Sequence, residues 1–188
     1  MEASKLLKAQ HREVKGLFER IESTSDEQEK SALFEELGSS LVAHDAIERE
    51  IFYPACEEEF GLTDRLGESL VEHGLVEFSL YQADLAFGSE DFKFKCAVLK
   101  EMLEHHIEEE EKELIPQVEK AFDSERLEEL GEEMEERFEQ AKEKDFRAAL
   151  LTNLQQVMGG ATKTHPEPTG GKKAPRTSDG REAHPRGR

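Results

Sequence analysis

The chain contains no tryptophan, two tyrosines and two cysteines, and most of its six prolines crowd one end. The two thiols, Cys56 and Cys96, lie outside any Cys-x-x-Cys pattern, so there is no disulfide framework. No apolar run is long enough to cross a bilayer. The opening stretch MEASKLLKAQHREV lacks an apolar segment of signal-peptide length, and a cytoplasmic protein is expected. Positive charge is scarce. Against 25 Lys and Arg stand 44 Asp and Glu, a net charge of −19. That balance argues against gripping nucleic-acid phosphates or an anionic membrane surface.

What is present favours helix. Charged residues make up 37% of the chain and apolar residues 36%, with much Glu, Leu, Lys and Ala. The 188 residues suffice for one domain with a sizeable core. From Gly159 onward the composition changes to GGATKTHPEPTGGKKAPRTSDGREAHPRGR, with four of the six prolines and six of the 13 glycines. Residues 159–188 read as a disordered tail whose partner, if any, is unknown. The tail carries seven Lys and Arg against three Asp and Glu, a net of +4, which leaves −23 on the rest (−19 minus +4).

Apolar residues recur at helical spacing through the first 158 residues. The periodicity predicts helices over roughly 2–23, 28–59, 62–87 and 90–121, with Gly61 and Gly88 as breaks and Ser89 and Ser124 as caps. The pattern continues from Leu127 to Val157 as one helix or two. Four amphipathic helices on short connections predict an all-α, up-and-down four-helix bundle over 1–122. An additional C-terminal helical extension over 123–158 is expected to lie across it.

The informative residues interrupt the apolar stripes. In the first helix the stripe reads Leu7, His11, Val14; in the second, Leu41, His44, Glu48, Ile51. In the third it reads Leu70, His73, Glu77, Leu80, and in the fourth Leu103, His106, Glu110, Leu114. Residues at i and i+4 share a helix face, so each helix points a histidine inward and three also point a glutamate inward. Buried carboxylates on facing helices cost several kcal/mol each unless paired or bound to cations. Imidazole and carboxylate donors suit iron, manganese or zinc.

The spacing is a repeat. His11 to His73, His44 to His106, Glu48 to Glu110 and Pro54 to Pro116 are all separations of 62 residues. HDAIEREIFYP and HIEEEEKELIP are therefore one half-site written twice. The offset selects His106 over its neighbour His105, which is rotated about 100° away and falls at the surface or behind the ligands. In the run Glu108–Glu111 it selects Glu110 and leaves the others as a solvated face. Symmetry fails once. Glu77 follows His73 by one turn, whereas the matching position after His11 is Lys15, so Glu77 is an extra ligand candidate on one side only.

This ordered pattern, with HDAIE, Glu72-His73 and HIEEE following a lone histidine, resembles the hemerythrin-like HHE cation-binding domains over about residues 1–122. The resemblance implies an up-and-down bundle holding two non-haem iron ions. His11, His44, His73 and His106 would be terminal ligands. Glu48 and Glu110 would bridge the irons beside an oxo or hydroxo group. Oxygen-carrying relatives have His-x-x-x-His on the third helix; here Glu77 stands instead, which resembles the H-HxxxE-H-HxxxE branch. That branch implies hydrogen peroxide decomposition by a catalase- or peroxidase-like oxidoreductase of oxidative stress. The alternative is binding or sensing of dioxygen, nitric oxide or iron without turnover. Tyr81, two turns beyond His73, is a candidate hydrogen-bond donor to a bound peroxide or simply a packed core residue. A monomer or small homo-oligomer is expected.

Overall fold

The computed structural model describes residues 1–160, and the segment 161–188, most of the expected tail, lies outside the described residues. Among the described residues there is no strand. The helices are α1 (Ala3–Ser23), α2 (Glu27–Ile47), α3 (Tyr53–Phe60), α4 (Asp64–Ala86), α5 (Phe92–Glu109), α6 (Ile115–Ala121), α7 (Ser124–Lys142) and α8 (Phe146–Gly160). Two π-helical turns, Glu48–Phe52 and Glu110–Leu114, fuse α2 to α3 and α5 to α6, so the described residues make six helical rods.

Local chemistry sets the ends. Asp26 accepts from the backbone N–H groups of Gln28 and Glu29 and starts α2; the Thr63 side chain accepts from that of Leu66 and starts α4. Gly61 ends α3 at φ 78°, in the left-handed region that favours glycine. Two expected caps fall elsewhere. Asp123, not Ser124, caps α7, because its carboxylate reaches the Arg126 N–H three residues on, at 2.9 Å. The Ser89 hydroxyl donates backward to the Ala86 carbonyl at 2.6 Å and closes the end of α4 rather than opening α5.

The first four rods form the bundle. The extension is two helices, broken at 143–145, where Asp145 accepts from the Arg147 N–H at 3.0 Å. α7 packs on α1 and α2, and α8 packs on α2 and α4. The close approach of α8 needs Gly38, since a Cβ there would lie 2.7 Å from the Phe146 ring. The core is divided. Val14, Phe18, Phe34, Leu37, Leu80 and Leu99 belong to one apolar cluster. Leu7, Ile47, Phe52, Leu66, Leu114 and Val118 belong to another. On each ligand-bearing rod the inward histidine falls between residues of the two clusters, so a polar layer separates two oily halves.

Candidate metal centre

His11, His44, His73, His106, Glu48 and Glu110 are all buried in that layer. The Nε2 atom of His11 lies 3.1 Å from Glu110 Oε2. The Nε2 atoms of His44 and His73 lie 3.2 and 2.9 Å from the two different oxygens of Glu48. Donor atoms of His11, His44, Glu48 and Glu110 converge on one cation-sized space, and those of Glu48, His73 and His106 on a second. Glu48 is common to both. Glu110 belongs to the first.

Each histidine is held from behind. Its Nδ1 lies 2.5–2.9 Å from an outer oxygen: Glu111 for His11, Gln10 for His44, Asp45 for His73 and Glu72 for His106. An Nδ1–H that donates outward leaves the Nε2 lone pair facing the centre, which is how metal-binding imidazoles are oriented. Apart from His73 Nε2 and Glu48 Oε2, which meet the Tyr53 hydroxyl, the inward atoms are unmatched. Nε2 of His11, His44 and His106, one oxygen of Glu48 and both of Glu110 are buried with no hydrogen-bond partner. Such groups cost about 1–3 kcal/mol each when left unsatisfied. A dication shared by these donors would satisfy them, so the residues present fit a metal pair.

The electrostatics agree. Burial alone would lift the Glu48 carboxyl, but His44 and His73 beside it hold it well below the usual range. Burial alone would lower His73, but Asp45 and Glu48 push it up to about 10. The same carboxylates that favour a protonated imidazole favour positive charge beside them. Burial, with the nearby Glu110 and Glu48 carboxylates, pushes the Cys56 thiol up to about 12. Both cysteines are free and buried.

The repeated proline explains the π turns. A proline in an uninterrupted α-helix would strand the carbonyl four residues earlier and collide with it. Here the chain widens just before Pro54 and Pro116: the Tyr53 N–H donates to Glu48 O and the Ile115 N–H to Glu110 O, five residues back. The widening brings residue i+5 under each glutamate. Tyr53 is thereby turned inward, its hydroxyl 2.8 Å from His73 Nε2 and 3.2 Å from Glu48 Oε2. Reading i+4 spacing alone misses Tyr53.

Glu77 is placed differently from the other candidates. It is buried but lies outside both clusters. Its oxygens accept from Asn153 Nδ2 of α8 at 2.6 Å and Arg49 Nη2 at 3.2 Å. Burial, with Asp45 nearby, pushes its carboxyl up to about 7. Glu77 lines a cavity of about 20 Å³ beside His73 and His106, otherwise walled by Leu41, Val76, Leu80 and Leu103 among others. Tyr81 packs against the apolar core and does not line that cavity. His105 is exposed, as its rotation predicts. Glu111 supports His11 instead of sitting on a purely solvated face. A sequence signal for the outer supports did exist: Gln10 and Glu72 precede His11 and His73 and are themselves 62 apart.

Comparison with known proteins gives the family. The hemerythrin HHE cation binding domain matches residues 2–118. A crystal structure of a hemerythrin HHE cation-binding-domain-containing protein from Mycobacterium kansasii superposes with a TM-score of 0.70 at 30% sequence identity. The match covers 82% of this chain and 99% of that one. Among curated proteins, no sequence matches. Among the described residues, no helix is long and apolar enough to cross a membrane.

Proposed function

The chain belongs to the hemerythrin HHE cation-binding domain family, and from that premise we propose that it holds two non-haem iron ions and decomposes hydrogen peroxide. His11, His44, Glu48 and Glu110 would hold one iron, and Glu48, His73 and His106, with Tyr53 beside them, the other. Glu48, common to both sets of donors, would be shared between them. Bound iron would supply the redox capacity to turn two peroxide molecules into one dioxygen and two waters, one peroxide being oxidised and the other reduced.

One observation carries this reading: a cavity lies against the histidines of the centre, lined by both His73 and His106 of the three-donor subsite and by His44 of the four-donor one. Four residues converge on the first subsite and three on the second. The second therefore has room for an exogenous ligand, and a cavity of about 20 Å³ has space for about one water-sized molecule. The outer hydrogen bonds fix each imidazole tautomer. Glu77, with a carboxyl pushed up to about 7, stands on the cavity wall where it can take and return a proton near neutrality.

The test is iron content and oxygen release after anaerobic reconstitution with ferrous iron. About two irons per chain, with rapid oxygen release from peroxide that is lost in His106→Ala, is the expected result. Equal release by both proteins ends the proposal. The apolar wall also favours a second reading, in which dioxygen or nitric oxide binds without turnover. A reversible optical change with either gas, and no oxygen released from peroxide, selects it. Manganese in place of iron is read by the same elemental analysis.

A further inference from the structure

The outer face of α4 departs from the rest of the surface. In a chain that is 37% charged, α4 carries no charged residue between Glu72 and Asp84 except the buried Glu77. Its solvent-facing stripe is Val71, Leu75, Phe78, Gln82 and Leu85, at alternating intervals of four and three. That is the spacing of a helix seam, with one polar position. α5 lies alongside, with Ser79 against Met102 and Lys95 bonded to Gln82. On the same side α5 adds Phe94 and Val98. These side chains are not edges of the core: Val71 is 65%, Phe78 53% and Phe94 62% exposed. Together the six apolar side chains expose about 600 Å² per molecule, the upper end of what a monomer ordinarily leaves open.

We infer that this α4–α5 face is a self-association surface, occupied by a second copy of the chain docked antiparallel about a two-fold axis near Phe78. Two observations favour a copy. First, the area suffices: two such faces bury about 1,200 Å², the lower bound of a specific stable interface. Second, the stripe is complementary to its own reverse. Turned over, Val71 meets Leu85, Leu75 meets Gln82 and Phe78 meets Phe78, as an isologous contact requires. The chain's own tail is a poor occupant. Residues 161–188 contain no Val, Ile, Leu, Met, Phe or Tyr to fill the face.

The full chain should sediment at twice its 21.4 kDa mass at micromolar concentration. Its dissociation constant should fall as salt rises to about 0.3 M, because screening relieves repulsion between two copies of net charge −19. Leu75→Glu/Phe78→Glu should sediment as a monomer with unchanged helix content. Leu151→Glu, at an exposed apolar residue of α8, should leave the dimer intact. Mild oxidation should crosslink Val71→Cys/Leu85→Cys efficiently and either single variant poorly. A monomeric parent at all concentrations, a dimer that survives the double glutamate variant, or crosslinking of the singles alone would each overturn the inference. So would a parent that stays monomeric while this face captures a different protein.

Discussion

Tyr53 Oη lies 2.8 Å from His73 Nε2, and the position 62 residues further on, Ile115, has no hydroxyl to offer. The two halves of the centre are therefore written from one template but finished differently. The second cluster has a phenol at its edge and the first has none. In the absence of metal, burial and the carboxylates of Glu48 and Glu110 raise the phenol well above its ordinary value.

Tyr53→Phe should therefore distinguish the two subsites. In an anaerobic ferrous titration the first ion should bind with unchanged affinity and the second about tenfold more weakly, which is about 1.4 kcal/mol. An equal loss at both steps would mean that Tyr53 supports the fold and not the second subsite.

Glu72 and Gln10 occupy equivalent places behind His106 and His44, but only Glu72 is charged. Its hydrogen bond with His106, with Arg65 adding to it, holds its carboxyl at about 2. Glu72→Gln should lower metal affinity roughly 10- to 100-fold, the usual effect of removing an outer carboxylate. Gln10→Glu should do the reverse for the first subsite. Competition with a chromogenic chelator reads both, and unchanged affinity in both variants would remove these residues from the site.

Glu77 gives a signed pH dependence. Its folded-state pKa of about 7 lies above the ordinary 4.5, so the stability it contributes is fully present below 4.5 and is lost as pH rises through 7. Glu77→Gln removes that loss. In metal-free protein the variant should gain about 1 kcal/mol over the parent at pH 8, a shift of roughly 2–4 °C in Tm, and little or nothing at pH 4.5. A variant less stable than the parent at pH 8 would mean that the Arg49 and Asn153 contacts outweigh the burial of charge.

The bundle and the six buried donors were legible because both obey α-helical arithmetic. Four amphipathic stripes fix the rods, and an i, i+4 pair repeated at 62 residues fixes which histidine and glutamate face inward. What escaped was whatever breaks that arithmetic or bridges between helices. Tyr53 faces the centre only because a π turn moves the neighbour of Glu48 to i+5. Glu77 obeys the helix rule and is buried, yet its direction is decided by Arg49 and by Asn153, which is 76 residues away in sequence. Glu111 lies in a run of four glutamates, where composition reads solvent and only the fold reveals His11 opposite. The break at 143–145 left one helix or two undecided, because apolar periodicity on its two sides says nothing about a shared axis.

One crowded contact helps tie the extension to the bundle, and that contact can be tested. The Phe146 ring occupies the place where any side chain at Gly38 would begin, 2.7 Å from an added Cβ. Gly38→Ala should therefore push α8 off α2 and cost about 1–3 kcal/mol, as overpacking does. Asn153 is on the same helix, so the displacement should also loosen its bond to Glu77 and alter the wall of the small-ligand cavity. The expected signature is a lower Tm together with a changed rate at the metal centre, although Gly38 touches no ligand. Phe146→Leu has a smaller side chain and should restore part of both losses when combined with Gly38→Ala, a coupling read from the double-mutant cycle. If the two substitutions are simply additive, the ring and the glycine do not act on each other, and α8 is held by its ion pairs, chiefly Arg147 with Asp84 and Glu35.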